Sequence, residues 1–257
     1  MSAQSNLTGL YTIVRRELTR ILRIWAQTLV PPAITMTLYF VIFGNLIGSR
    51  IGTMHGLTYM DFIVPGLIMM SVIQNSYGNI VSSFFGAKFQ RFVEEMLVAP
   101  MPPWVILAGY VTGAVARGLA VGVIVLGISM FFTHVQLYHP WVTLSTVILT
   151  AIVFALAGFV NAVYAKKFDD IAIVPTFVLT PLTYLGGVFY SVDLLPPLFR
   201  RATELNPVLY MVNAFRYGLL GVSDVSLAWS YGVMLTFAAV LGAFALSLLK
   251  RGVGLRS

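Results

Sequence analysis

The side chains that could carry out chemistry are few and scattered along the sequence. There is no cysteine, and the three histidines, His55, His134 and His139, are not spaced like metal ligands. Glu94 and Glu95 are adjacent, so on a helix they would point about 100° apart and would not form a paired acid–base site. A P-loop for nucleotides and a zinc-protease motif are both absent. These patterns indicate no catalytic, cofactor or metal site in this chain.

Regularly spaced polar residues lie instead inside long apolar runs. In the second run, Ser71, Asn75 and Asn79 repeat every four residues, with Gln74 beside them. This spacing places them on one face of a helix. The fifth run carries a similar polar stripe, made of Thr176, Thr180, Thr183 and Tyr184. Polar stripes within hydrocarbon either line a transport path or bond neighbouring helices together, and both interpretations remain open.

Arg117 lies near the middle of the third apolar run. Small residues surround it in sequence, with Gly109 and Gly113 on its own face and Gly118 and Gly122 forming a second closely packing pair. A charge at this depth needs acceptors, and the apolar runs contain almost no carboxylates. We therefore expect backbone carbonyls or the amides of the second run to accept from Arg117, in a structural or gating role rather than a substrate site.

The composition predicts the environment of the chain. Of 257 residues, 58% are hydrophobic and 10% charged, and the mean hydropathy is +0.88. Soluble domains are about 45–50% apolar and about 25% charged, so this is predicted to be an integral membrane protein. The net charge of +7 then reflects cytoplasmic loops rather than nucleic-acid binding. Since no cleavage site follows the first apolar run, residues 1–28 are expected to remain in the mature protein.

Six runs are long enough to cross a bilayer, which needs about 20 apolar residues of helix. They are residues 29–48, 62–83, 105–131, 141–163, 171–190 and 229–249. The pattern predicts an all-α membrane protein with six transmembrane helices in a single domain, 1–257. Eleven of the 16 basic residues fall on one side, which places both termini in the cytoplasm. A seventh span at 205–222 is not expected, because Pro207 and Arg216 leave the apolar run too short.

Two segments on the cytoplasmic side have the pattern of helices outside the membrane. Residues 1–28 predict an amphipathic helix lying in the headgroup layer, either as a simple anchor or as a docking site. Its basic side includes Arg15, Arg16 and Arg20. Residues 84–104 predict one short helix stopped by Pro100, with a charged side suited to contact with a second protein.

The third segment, residues 191–228, lies on the outer side and contains two helix starts. One is marked by Pro196 and Pro197, and the other by Asn206 before Pro207, a capping residue followed by a first-turn proline. This pattern predicts a re-entrant helical hairpin between the fifth and sixth spans.

The stretch from Pro181 to Arg216 resembles the signature of the ABC-2 type permease family, including its closing Ala-x-Arg. The run from Glu94 to Pro100 is similar to the coupling motif of that family. The resemblance implies a bacterial inner-membrane permease that forms a homodimer and binds two copies of a separate ATP-binding subunit. ATP and Mg²⁺ would bind that subunit, and this chain would bind no cofactor. The resemblance further implies ATPase coupling by Arg15, Arg16, Arg20, Arg91, Glu94, Glu95 and Leu97.

Export as the direction of transport follows from the resemblance alone. Polar stripes beside aromatic residues such as Tyr77 and Tyr184 suit an amphipathic substrate, for example a lipid, a lipid-linked sugar or a drug-like molecule. The alternative is a self-sufficient channel or facilitator that works without an ATPase. A membrane enzyme acting on lipid is disfavoured because no nucleophile–base or metal group is present.

Overall fold

A computed structural model of the chain describes residues 3–54, 56–98, 101–133 and 137–254, and these residues are almost entirely helical. The helices up to the middle of the chain are α1 (Ala3–Arg23), α2 (Trp25–Tyr39), α3 (Gly48–Ile51), α4 (Tyr59–Phe89), α5 (Phe92–Val98) and α6 (Pro103–Ser129). The remaining ones are α7 (Pro140–Tyr164), α8 (Asp170–Val174), α9 (Thr180–Tyr184), α10 (Pro197–Glu204), α11 (Pro207–Leu220) and α12 (Leu227–Arg251).

Short irregular elements join some of these helices. π-helical turns at Phe40–Ile47 and Pro175–Leu179 continue α2 and α8, and a 3-10 turn forms at Val192–Leu194. Two-residue strands β1 (Thr53–Met54) and β2 (Leu57–Thr58) pair antiparallel before α4.

The prediction of an all-α membrane protein is confirmed at this level. In the described part of the chain, four helices are long and apolar enough to cross a bilayer: Trp25–Gly44, Pro103–Ser129, Pro140–Tyr164 and Leu227–Arg251. They correspond to the first, third, fourth and sixth predicted spans. The count of six spans remains a prediction.

The second and fifth predicted spans differ from these four for physical reasons. Helix α4 has 31 residues, about 46 Å at 1.5 Å per residue, but its polar stripe lowers its hydropathy. The fifth apolar helix covers only Asp170–Tyr184, so its predicted end at residue 190 is wrong. The chain turns at Gly186 and Gly187, where Gly187 has a φ of +72° that side-chain-bearing residues rarely adopt.

Helix α4 is the centre of the fold and packs against α6, α7 and α11. Most of its residues are buried, including Phe62, Leu67 and Ile73. Gly158 of α7 allows close approach, since a Cβ at this position would lie 2.8 Å from the carbonyl oxygen of Tyr77. The polar residues of α4 are tolerated because they face protein rather than lipid.

Helix α1 packs lengthwise on α6. A Cβ added at Gly109 would lie 2.5 Å from Ile13, and one at Gly113 would lie 2.6 Å from Glu17. These contacts advance by four residues on both helices, so α1 and α6 run side by side in the same direction. The glycines of α6 let the two backbones approach at these contacts. The position of α1 in the headgroup layer remains a prediction.

We expect Gly113→Leu to displace α1, because a side chain cannot fit between the helices. The overpacking is expected to lower the free energy of unfolding by about 1–3 kcal/mol. Gly127→Leu on the same helix is the control, since a Cβ there has no atom within 4 Å. The free energies of both variants can be measured by SDS titration in mixed micelles, and equal values would contradict this packing.

The segment 84–104 is not the single helix that was predicted. Helix α4 ends at Phe89, and Arg91 adopts a left-handed backbone with a φ of +64° before α5 begins. The left-handed residue breaks the run of helical hydrogen bonds, so α4 and α5 can take different directions. Pro100 lies outside the described residues.

Both predicted helix starts in the segment 191–228 are confirmed. Helix α10 begins at Pro197 and α11 at Pro207. The side-chain oxygen of Asn206 accepts a hydrogen bond from the backbone N–H of Val208 at 3.0 Å, as expected of a helix cap. Re-entry of this hairpin into the membrane remains a prediction.

Candidate functional site

Polar side chains from α1, α4 and α6 meet where the three helices pack together. We call this group the α1 cluster; its members are Arg16, Glu17, Arg20, Asn79, Ser83 and Tyr110. Three of them come from α1, two from α4 and one from α6, so the cluster joins the N-terminal helix to the central helix.

Glu17 is the buried acid at the centre of the α1 cluster, with 1% of its surface exposed. The Ser83 hydroxyl lies 2.7 Å from both carboxylate oxygens and donates to them. Guanidinium nitrogens of Arg20 and Arg16 lie 3.0 Å and 3.4 Å from the carboxylate. These contacts compensate for the loss of water around a buried charge.

Arg20 connects the acid to the polar stripe of α4. One of its nitrogens lies 2.7 Å from Oδ1 of Asn79 and also bonds Glu17. The structure thus brings a predicted coupling residue, Arg20, into direct contact with a predicted path residue, Asn79. Helix α1 cannot shift without disturbing this side of α4.

Arg16 contacts the third helix of the cluster. Its guanidinium donates to the Tyr110 hydroxyl at 2.5 Å, and its charge lies 5.2 Å from the centre of the same ring. Burial alone would lower the pKa of Arg16, but the contacts with Tyr110 and Glu17 outweigh it and raise that pKa. The guanidinium therefore remains charged and available for these bonds.

The other predicted coupling residues lie away from the α1 cluster. Arg15 is exposed on α1. On the segment after α4, Arg91 and Glu95 are exposed and Glu94 is half-buried. The side chain of Leu97 lies outside the described part of the structure.

The predicted path residues of α4 are turned into the protein. Ser71 and Asn75 are buried and donate to carbonyl oxygens one turn earlier, at 3.0 Å each. Asn79 is fully buried in the α1 cluster, and Gln74 is half-buried. The hydrogen bonds of Ser71 and Asn75 stay within α4, so these residues alone do not form an open path.

The predicted path residues of the fifth apolar helix are mostly uncovered. Thr176, Thr180 and Tyr184 are exposed, whereas Thr183 is buried. The hydroxyl of Tyr184 lies 2.5 Å from that of Tyr39 on α2. Among the described residues, no hydrogen bond joins this stripe to the one on α4.

Arg117 does not bond the groups expected from the sequence. Its Nε is buried and has no hydrogen-bond partner among the described residues. One of the second-run amides expected as acceptors, Asn79, instead accepts a hydrogen bond from Arg20 through its oxygen. The expectation was wrong because α1 packs against α4 and α6 and supplies a competing arginine.

Sequence reasoning missed Glu17, the residue that holds the α1 cluster together. A signal was present, since Glu17 is the first acid in the chain and lies among four arginines, with no other acid before Asp61. An isolated acid on a basic helix is easily taken as a solvated charge. Only the packing of α1 on α6 reveals that it is buried.

A second polar group, which we call the Arg216 cluster, was also missed. Arg216 is fully buried, donates to the carbonyl oxygen of Gly187 at 2.7 Å and to Asn213 at 3.4 Å, and lies 3.9 Å from the centre of the Phe62 ring. The backbone N–H of Asp224 donates to Asn213 at 2.9 Å. The cluster ties α11 to the turn after α9 and to the loop before α12.

Asp224 extends the Arg216 cluster to the segment before α10. Its carboxylate accepts from the Ser191 hydroxyl and from the Val192 backbone N–H, each at 3.1 Å. In the described part of the chain, neither polar cluster belongs to a group of three or more metal-ligating side chains. Both clusters can therefore hold helices together, but neither has the composition of a metal or acid–base site.

Comparison with known proteins identifies the family. The sequence profile of the ABC-2 type transporter family matches residues 8–220, which include the α1 cluster and Arg216. The chain belongs to the ABC-2 type transporter family. This ABC-2 permease is 62% identical over 250 residues to the inner membrane transport permease YadH of Escherichia coli K12, with 97% of each chain covered.

More distant relatives of this ABC-2 permease are nodulation proteins. It is 25% identical over 219 residues to nodulation protein J of Rhizobium leguminosarum bv. viciae, with 83% of each chain covered. It is 26% identical over 201 residues to nodulation protein J of Neorhizobium galegae, with 74% of each chain covered. The family resemblance noted from the sequence is confirmed, and the chain is a membrane permease of an ABC transporter.

Proposed function

We propose that this ABC-2 permease is the membrane subunit of an exporter in the bacterial inner membrane. It moves an amphipathic substrate, such as a lipid, a lipid-linked sugar or a drug-like molecule, using ATP hydrolysed with Mg²⁺ by a separate subunit. Two copies of the chain pair with two copies of that ATP-binding subunit, and both termini lie in the cytoplasm. The Escherichia coli relative is an inner membrane transport permease, which supports the location.

The domain layout follows the same proposal. Residues 1–257 act as one membrane domain, in which 1–28 connects to the ATPase, 84–104 couples to it and 191–228 caps the outer side. Arg15, Arg91, Glu95 and Leu97 contact the ATPase together with Glu94. The exposure of Arg15, Arg91 and Glu95 supports this assignment.

The contact of Arg20 with Asn79 is the observation that carries the proposal. It joins a helix assigned to the ATPase side with the polar stripe assigned to the substrate path. Glu17 and Ser83 make a second link between the same two helices. When the ATPase moves α1 or α5, α4 follows, and access to the path changes from one side of the membrane to the other.

The substrate path is assigned to the stripes on α4 and on Asp170–Tyr184. The exposed side chains of Thr176, Thr180 and Tyr184 support this, because they are available to face a second copy of the chain. Arg117 is assigned a structural or gating role next to the α1 cluster. Its unpaired Nε can find a partner when α1 changes position.

Affinity purification of the tagged chain from native membranes tests the proposal. We expect a protein with a P-loop to co-purify with the permease in a one-to-one ratio in mild detergent. A homogeneous species without such a partner in several detergents would contradict the proposal and favour the self-sufficient channel.

The same purification tests the docking surface on α5. Glu95→Lys reverses the charge of an exposed residue there, and we expect it to reduce recovery of the partner about tenfold. Glu204→Lys is the matched control, because Glu204 is an exposed glutamate on α10, at the opposite side in the proposed orientation. Equal recovery with both variants would remove α5 from the docking surface.

A further inference from the structure

A cleft opens between α1 and the end of α4 that leads into α5. Its volume is about 680 Å³, within the range of about 300–1,000 Å³ typical of sites for small organic molecules. We call it the basic cleft, and its polar lining includes Arg15, Arg16, Arg20, Arg23, Ser82 and Gln90. Arginines form one wall, and a hydroxyl and an amide lie on the other.

The positive charge of the basic cleft is only partly balanced. Among its described lining residues, Glu17 is the one acid, and its carboxylate is already bonded by Ser83 and Arg20. Arg15 and Arg23 are exposed and form no ion pair within the described ranges. The buried Nε of Arg20 also lacks a hydrogen-bond partner there. An anion would compensate this excess of positive charge.

Exposed apolar surface also lines the basic cleft. The side chains of Tyr11 on α1 and Phe92 on α5 are 64% and 46% exposed. An anion such as free phosphate needs no apolar surface, whereas a lipid presents an anionic headgroup and hydrocarbon chains together. A lipid headgroup held in the basic cleft would bring its hydrocarbon chains onto this apolar surface.

The position of the basic cleft along α4 agrees with the level of the lipid headgroups at the membrane surface. Ser82 lies at the predicted inner end of the second span, and Gln90 lies beyond it. The positive-inside distribution places this level at the cytoplasmic surface, where anionic lipids attract Lys and Arg.

We propose that the basic cleft binds the phosphate-bearing headgroup of an anionic bilayer lipid. Arg15, Arg20 and Arg23 bind the phosphate from one side, and the side-chain amide of Gln90, just after α4, donates to it from the other. The bound lipid bridges α1 and α4 and stabilises the α1 cluster behind it. This inference assigns Arg15 to the lipid rather than to the ATPase contact proposed above, and it does not depend on the transported substrate.

Lipid retention by the full chain tests the proposal. The protein is placed in nanodiscs of phosphatidylcholine with a minor fraction of phosphatidylglycerol, and lipids that remain bound are measured by native mass spectrometry. The Arg15→Gln/Arg23→Gln double variant leaves the α1 cluster intact. Each arginine near an anionic headgroup contributes about fivefold in affinity, so the double variant is expected to bind phosphatidylglycerol about 30-fold more weakly.

The matched control is Lys250→Gln/Arg251→Gln, which removes two exposed charges at the end of α12, outside the basic cleft. Retention close to that of the unmodified chain is expected for this control. An equal loss in both double variants would overturn the proposal, because it would show general charge attraction.

Two further arms of the experiment distinguish an anionic lipid from other possible ligands of the basic cleft. Inorganic phosphate is added to the detergent-purified chain, and binding of it without a preference for phosphatidylglycerol would overturn the assignment to lipid. Loss of the retained lipid when the ATP-binding subunit is bound would also overturn it, since the basic cleft would then be a surface for acidic protein residues. Retention of phosphatidylglycerol in both arms is the expected result.

Discussion

Replacement of Glu17 by alanine is expected to lower the free energy of unfolding by about 3 kcal/mol. Removing one partner of a buried ion pair costs about 3–5 kcal/mol, and the lower value applies because Arg16 and Arg20 keep some access to water. The variant leaves Ser83 and the two guanidinium groups without their shared acceptor. SDS titration of the purified chain in mixed micelles measures the change.

Two further variants make the result for Glu17 specific. Glu95→Ala removes an exposed glutamate from α5 and is expected to change the free energy by less than about 0.5 kcal/mol. Glu17→Gln keeps the shape of the side chain and one acceptor oxygen. Its decrease in the free energy of unfolding should therefore lie between those of Glu95→Ala and Glu17→Ala. If Glu17→Ala were no less stable than Glu95→Ala, the α1 cluster would not hold α1 in place.

Arg216→Ala is expected to destabilise the protein by about 4 kcal/mol. Arg216 is fully buried, so the variant leaves a cavity next to Phe62 and removes the donors to Gly187 and Asn213. The same SDS titration measures the change. Because Gly187 lies in the turn after α9, amide hydrogen exchange across residues 185–195 should also become faster.

The control for Arg216 is Arg201→Ala, an exposed arginine on α10. Arg216→Lys keeps the positive charge but not the planar geometry that reaches two acceptors, so an intermediate loss is expected. Unchanged exchange in residues 185–195 together with unchanged stability would contradict the role assigned to the Arg216 cluster.

Features that depend on residues close together in the sequence could be predicted from the sequence. The apolar runs indicated a membrane protein because hydropathy is summed over a local window. The starts of α10 and α11 were correct because proline in the first turn and an asparagine cap act within a few residues. The motif from Pro181 to Arg216 indicated the ABC-2 type family for the same reason, since it is contiguous in the chain.

The polar stripes were visible in the sequence, but their surroundings were not. Ser71 and Asn75 proved to be buried, whereas Thr176 and Thr180 are exposed. In a membrane, lipid is as apolar as a neighbouring helix, so the hydrophobic pattern does not say which face meets protein. Which residues of the polar stripes are buried depended on which helices pack around α4.

The sequence by itself determined the class of protein, its family and the helices that begin with local caps. Only the tertiary structure decided that α1 runs along α6, that Glu17 is buried and that Arg20 rather than Arg117 bonds Asn79. These partners lie far apart in the chain and meet because glycines on α6 let the backbones approach. Such contacts depend on the shapes of facing helices, which no local pattern of residues encodes.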